Sequence, residues 1–380
     1  MNVKAALFVT LIAVCGNASA THAYSANPAD WFDGTWIAPL DSSIPNDASG
    51  ASIRYGKLLL TETYKYLGQG STMPYTNNKI SCSNCHLDEG TAAYGTPWAV
   101  VSFKYASAPY SPRSDRYLDM VNRIQDCIMR SMNGLQLPPT SYEMTSMIAY
   151  MNWLSTGIQV STYTLVVGQG NMKVADMTRA ADPVAGKVIF DNNCAACHQS
   201  DGSGVWDPLA VRYVYPAVWG PNSYNTGAGM HRLRTGVGFA RGNMPYGHAN
   251  PTDTPSMLTE AEAWDVMAYV SSQPRPVYAN YLSDWAGFRP SDCMPNWLLK
   301  QPDASYANYF PRVETDGRLS GNLSFPQKFS ADQHHYGPWQ ALLTLQTAMQ
   351  SAYLAITPRP VYPSCMEFVY DPVTKTGVLR

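Results

Sequence analysis

Two short motifs constrain this chain more than any other feature: Cys82-Ser83-Asn84-Cys85-His86 and Cys194-Ala195-Ala196-Cys197-His198. Two thiols three residues apart reach both vinyl groups of one porphyrin, and the histidine that follows is then set beneath the iron as its proximal ligand. The motifs read as two attachment sites for haem c, with Cys82, Cys85, Cys194 and Cys197 as the thioether positions and His86 and His198 as axial ligands. A zinc site or a structural disulfide followed by chance by a histidine would explain either motif alone. The same histidine at the same offset twice disfavours coincidence, and so does export, because c-type attachment is made outside the cytoplasm in bacteria.

Export is indicated at the N-terminus. Lys4 precedes the apolar run Ala5 to Val14, and the small residues Ala18-Ser19-Ala20 follow, which predicts a signal peptide over 1–20 cleaved after Ala20 and a periplasmic protein. A lipoprotein anchored at Cys15 is disfavoured because Val14 stands where a small residue would be expected. No later stretch approaches the roughly 18 unbroken apolar residues of a membrane span. Charged residues are only 14% of the chain, while Tyr, Trp, Pro and Gly are plentiful, a composition suited to loop-rich domains around flat aromatic cofactors. A net charge of -2 supplies no general attraction for nucleic acid, so an anionic substrate must be drawn by a local cluster.

The flanks of the motifs predict mainly α structure: two cytochrome c-like helical domains in tandem, 24–165 and 166–276, followed by a loop-rich extension, 277–380. Asp182-Pro183 is a helix opening, and the apolar spacing through Phe190 predicts a helix that delivers Cys194. Thr259 opens a second amphipathic run through Val270 that stops by Pro274, and Ser141 to Leu154 predicts the matching closing helix of the first domain.

The sixth iron ligand separates electron transfer from catalysis. For the second haem the choice is Met244, 46 residues past His198, in a loop that Pro245 holds extended. Met230, Met257 and His248 are its rivals. In the first domain, Cys127 is the only cysteine outside the motif. It reads either as a buried free thiol, uncommon in an exported chain, or as a thiolate ligand of the first haem, its ionisation favoured by Arg113, Arg123 and Arg130 nearby in sequence.

Over residues 30–276 the chain resembles the di-haem thiosulfate dehydrogenases, some of which act as tetrathionate reductases. The resemblance is carried by Arg123 to Gly134, by Tyr215 to Met230, by Asn243-Met244-Pro245, by Glu262-Ala263-Trp264-Asp265-Val266 and by Gln273-Pro274-Arg275-Pro276. It implies that Cys127 is both iron ligand and reacting group, and that Arg113, Arg123 and Ser131 line the substrate site. Some family members have a lysine before the methionine ligand; Asn243 stands here, which implies plain His/Met ligation.

The resemblance also implies the reaction: two thiosulfate dianions joined as tetrathionate through a Cys127 S-thiosulfonate, two electrons leaving by way of two haems to a soluble c-type cytochrome, in a couple that can run in reverse. An electron carrier without its own substrate, or a haem subunit of a sulfur-oxidising multienzyme system acting on a carrier protein, are the alternatives. In the extension, Cys293 and Cys365 read as a disulfide, with metal binding at His334 and His335 disfavoured because adjacent side chains diverge. Ala341 to Ala355 reads as a helix.

Overall fold

The computed structural model describes residues 36–111, 114, 116–159, 166–175, 177, 179 and 181–278, the side chain of Tyr110 excepted, with the backbone of four short strands nearer the C-terminus. The signal sequence, Arg113, Cys293, Cys365, His334, His335 and the expected helix 341–355 lie outside the described residues.

The described residues are mainly helical, and most long helices begin where a short polar side chain can accept from a free N–H of the first turn. Asp47 opens α1 (Ala48–Thr61), Asp119 opens α2 (Met120–Arg130) and Ser141 opens α3 (Tyr142–Leu154). Asp182, with Pro183 at the first helical position, opens α4 (Pro183–Asn193). The start of α5 (Leu233–Asn243) has no side-chain cap, whereas Thr259 and Glu262 form a reciprocal capping box on α6 (Glu260–Ser272). Helices α3, α4 and α6 fall where the caps and apolar spacing place them; α1, α2 and α5 have no counterpart among the helices expected from sequence.

Strands are short antiparallel pairs. β1 (Tyr110–Ser111) pairs with β2 (Arg116–Tyr117), and β3 (Val205–Asp207) with β4 (Arg212–Tyr215). Nearer the C-terminus β5 (Arg312–Val313) pairs with β6 (Leu319–Ser320), and β7 (Phe368–Asp371) with β8 (Thr376–Leu379).

The same packing device appears twice. A Cβ on Gly56 of α1 would stand 1.9 Å from the Ser146 carbonyl oxygen of α3, and one on Gly186 of α4 would stand 1.8 Å from the Asp265 carbonyl oxygen of α6. Only a residue without a side chain lets each helix pair meet backbone to backbone. Around the first crossing lies a core of Leu59, Leu60, Ile124, Ile128, Met144, Met147, Tyr150 and Leu154. Around the second lies another, of Phe190, Trp219, Leu233, Val237, Trp264, Met267 and Val270. Each holds one motif cysteine at its edge, Cys82 in the first and Cys194 in the second.

The two helical groups share apolar surface. Ile80 and Met132 are buried with Tyr213, Ala217 and Tyr224, and Leu87 and Ala92 with Phe239. The connecting segment first lies on the N-terminal group, where Val166 is buried among Trp36, Ala99 and Val100, and the Tyr94 N–H donates to Gly168 at 2.7 Å.

Candidate active site

Both motif histidines are held in the same way. The His86 Nδ1 meets the carbonyl oxygen of Thr96, and the His198 Nδ1 meets that of Pro216 at 2.8 Å. A carbonyl only accepts, so Nδ1 carries the proton and Nε2 keeps its lone pair for a metal. Burial keeps both rings neutral: it pushes His86 down to about 4 and lowers His198 as well. The His86 ring also stacks on Trp98, with ring centroids 4.8 Å apart. Thr96 offers its carbonyl from a left-handed backbone conformation, as do its neighbours Asp88, Glu89 and Tyr94. For a residue other than glycine this geometry persists only when the surroundings enforce it, as at ligand-holding sites.

The thiols are half-buried residues whose sulfurs are drawn out of water, and this desolvation raises Cys82, Cys85 and Cys194 to about 12. Thr63 braces the first pair: its Oγ1 accepts from the Cys82 N–H at 3.0 Å. Thiols in apolar walls beside a neutral imidazole with Nε2 open fit thioether attachment and proximal ligation of haem at each motif.

Cys127 sits on α2 and is half-buried. Its sulfur is close enough that its charge is felt by both Cys82 and Cys85, so tertiary packing brings it to the first motif. Arg123, one turn earlier on the same face, has its charged form favoured first by Cys127 and further by Tyr105 and Asp126. The Arg123 guanidinium donates a side-chain hydrogen bond to Tyr105. Ser131, one turn later, is the C-cap of α2 and its N–H donates to the Cys127 carbonyl at 2.7 Å. The four-residue steps from Arg123 to Cys127 to Ser131 thus line one stripe of the helix.

Arg130 belongs elsewhere. Its guanidinium is buried against Asp126 at 2.7 Å and lies over the Tyr278 ring, 4.7 Å from its centroid. Asp126 also pairs with Arg116 at 2.6 Å and accepts from Ser114. Among the described residues, Arg123 shares the helix face of Cys127 and interacts with its charge, while Arg130 serves the fold. Tyr105 and Asp126 escaped the sequence reading; Asp126 had a signal in Arg130 four residues on, Tyr105 none.

Around the second motif, Arg241 to Asn243 form the last turn of α5 and not the expected loop; Met244 is its extended C-cap. Met244 and Met230 both pack on the cluster of Leu87, Ala92 and Phe239, Met257 is half-buried, and His248 is exposed. Asn243 is fully buried, donating to Tyr94 O at 3.0 Å and Phe239 O at 2.9 Å, so this position serves the contact between the two groups. Tyr246, two residues past Met244, donates to Asp88, two past His86, at 2.8 Å.

Residues 183–274 match the cytochrome c family. The thiosulfate dehydrogenase of Psychrobacter arcticus is 36% identical over 255 residues, covering 67% of this chain and 73% of its own length. That of Allochromatium vinosum is 35% identical over 250 residues, covering 65% and 86%. Among solved structures, the thiosulfate dehydrogenase TsdBA of Marichromatium purpuratum superposes with a TM-score of 0.58 at 29% identity, over 65% of this chain and 51% of that one. The chain therefore spans about half of that solved chain and most of the two single relatives. With identity above 30% over more than two thirds of those relatives, and a cytochrome c region holding its second motif, the chain belongs to the thiosulfate dehydrogenases, haem c oxidoreductases.

Proposed function

We propose that this chain, exported to the periplasm and divided into the two cytochrome domains read from the sequence, joins two thiosulfate ions into tetrathionate. The observation that supports this reading is that α2 packs by Ile124 and Ile128 into the core that holds Cys82, with Cys127 within electrostatic reach of Cys82 and Cys85 and with Arg123 one turn before it on the same face. Cys82, Cys85 and His86 would hold one haem c and Cys194, Cys197 and His198 a second; when bound, these would supply one-electron acceptors for onward transfer to a soluble c-type cytochrome.

The residues divide the work. Arg123, with Arg113 as its expected second cation, binds a sulfonate group through paired charge-assisted hydrogen bonds and screens the approach of a second dianion. Ser131 adds a donor on the same stripe of α2. The Cys127 thiolate bonds the sulfane sulfur of one thiosulfate, giving a cysteine S-thiosulfonate as two electrons leave. The sulfane sulfur of a second thiosulfate then attacks that of the bound group, and tetrathionate departs with the Cys127 thiolate as leaving group. Read backwards, the same steps reduce tetrathionate.

Were Cys127 and Met244 to hold the first and the second haem, a thiolate would lower the potential of the one and a thioether raise that of the other, which would direct electrons outward. For Met244 the support is its position, an extended C-cap fixed by Asn243 just before it. Thiosulfate-dependent reduction of ferricyanide by Cys127→Ala, purified with both haems attached, tests the reading. Activity should vanish; turnover near that of the unaltered protein would leave an electron carrier.

A further inference from the structure

Helix α2 ends one turn past Cys127, and the last carbonyls of a helix have no partner within it. Here they are claimed by two buried asparagines. Asn225, which follows the second motif, donates from Nδ2 to the Met129 carbonyl at 2.9 Å and to Asn133 Oδ1 at 3.0 Å, while its backbone N–H donates to the Arg130 carbonyl at 3.2 Å. Its own Oδ1 accepts from the Gly227 N–H at 3.0 Å, so the side chain has no spare donor or acceptor that the surroundings fail to use. Asn78 donates from Nδ2 to the Ser131 carbonyl at 2.7 Å and to the Ser223 carbonyl at 3.0 Å. Asn225 is 1% exposed and Asn78 is fully buried.

Three consecutive carbonyls, of Met129, Arg130 and Ser131, are thereby tied to the loop that holds Ser223 and Asn225, which belongs to the half of the chain carrying the other motif. We propose that Asn225 is a positioning residue for Cys127, so that the second cytochrome region sets where the reacting sulfur of the first stands. The proposal rests on the reading of Cys127 as the reacting thiolate. Two effects follow from the geometry. Holding the last turn of α2 fixes the rotation of the stripe Arg123, Cys127, Ser131. Donors placed on those carbonyls also offset the negative end of the helix, which otherwise opposes an anionic sulfur one turn away.

Asn225→Ala removes both side-chain donors, Asn225→Ser restores one hydroxyl donor near the Met129 carbonyl, and Cys127→Ala is the reference. Each is prepared as full-length protein with both haems, and three quantities are read: kcat and KM for thiosulfate, the ferric electron paramagnetic resonance signal of thiolate-ligated haem, and the signal of the other haem. Asn225→Ala should lower kcat about tenfold with KM within about twofold, and split or weaken the thiolate signal while the other haem keeps its own. Asn225→Ser should fall between it and the unaltered protein.

The proposal is overturned if Asn225→Ala keeps kcat and the thiolate signal while Cys127→Ala loses both, a result that leaves the role of Cys127 standing. An Asn225→Ala protein with both haem signals disturbed equally, or with no haem bound, would make the residue structural, unless Asn78→Ala, which frees the Ser131 and Ser223 carbonyls and leaves those of Met129 and Arg130 bonded to Asn225, reproduces the selective loss. An active Cys127→Ala would remove the reading and the proposal together.

Discussion

Asp126→Asn is the change whose consequence is best determined by the structure. The two side chains have nearly the same shape, so no cavity opens and only charge is removed. The Asp126 carboxylate is fully buried and pairs with Arg130, itself 4% exposed, at 2.7 Å, and with the more accessible Arg116 at 2.6 Å. Leaving one buried charge without its partner costs about 3–5 kcal/mol. The Tyr278 ring, 4.7 Å from the guanidinium, keeps part of the compensation, which argues for the lower half of that range. At about 2–4 °C per kcal/mol for a fold of this size, the thermal midpoint should drop by about 10 °C. Far-ultraviolet circular dichroism of the haem-loaded protein at fixed pH and salt reads it. Arg130→Met should cost less, because Asp126 then retains Arg116 and Ser114. A drop below about 3 °C for Asp126→Asn, or a larger one for Arg130→Met, would refute the assignment of Asp126 as the charge that pays for a buried guanidinium.

Arg123→Lys exchanges a planar fork for a point charge, and at about 1.5–3 kcal/mol for hydrogen bonds to a charged group kcat/KM for thiosulfate should fall on the order of 10- to 100-fold, mostly through KM. Haem content measured on the same samples should hold, and a parallel loss of haem would assign Arg123 to the fold. Met244→Ala should abolish the near-infrared band of methionine-ligated ferric haem and lower kcat without raising KM; the same loss in Met230→Ala instead would move the ligand to that residue. Gly56→Ala and Gly186→Ala each drive a Cβ to within 2 Å of a facing carbonyl oxygen. Each should cost at least about 1–3 kcal/mol in thermal unfolding, more than the roughly 1 kcal/mol alanine gains in helix propensity. A rise in midpoint for either would show that the helices part without strain.

What the sequence determined by itself is whatever depends on spacing along the chain. Two thiols and a histidine at fixed offsets define each attachment site because one porphyrin has fixed dimensions. Asp182-Pro183, Ser141 and Thr259 with Glu262 place helix starts because caps act within a single turn. Relations between distant segments needed the fold. Cys127 is 42 residues beyond Cys85, and no periodicity says that one comes within electrostatic reach of the other; packing of α2 against α1 and α3 does. That the stripe of Arg123, Cys127 and Ser131 turns toward the first motif while Arg130 lies over Tyr278 depends on the rotation of α2, which the apolar contacts of Ile124 and Ile128 decide. The bonds from Asn225 and Asn78 to the end of α2 were illegible for the same reason: a buried amide is committed by whatever carbonyls lie opposite it, and those come from parts of the chain that only tertiary packing brings together.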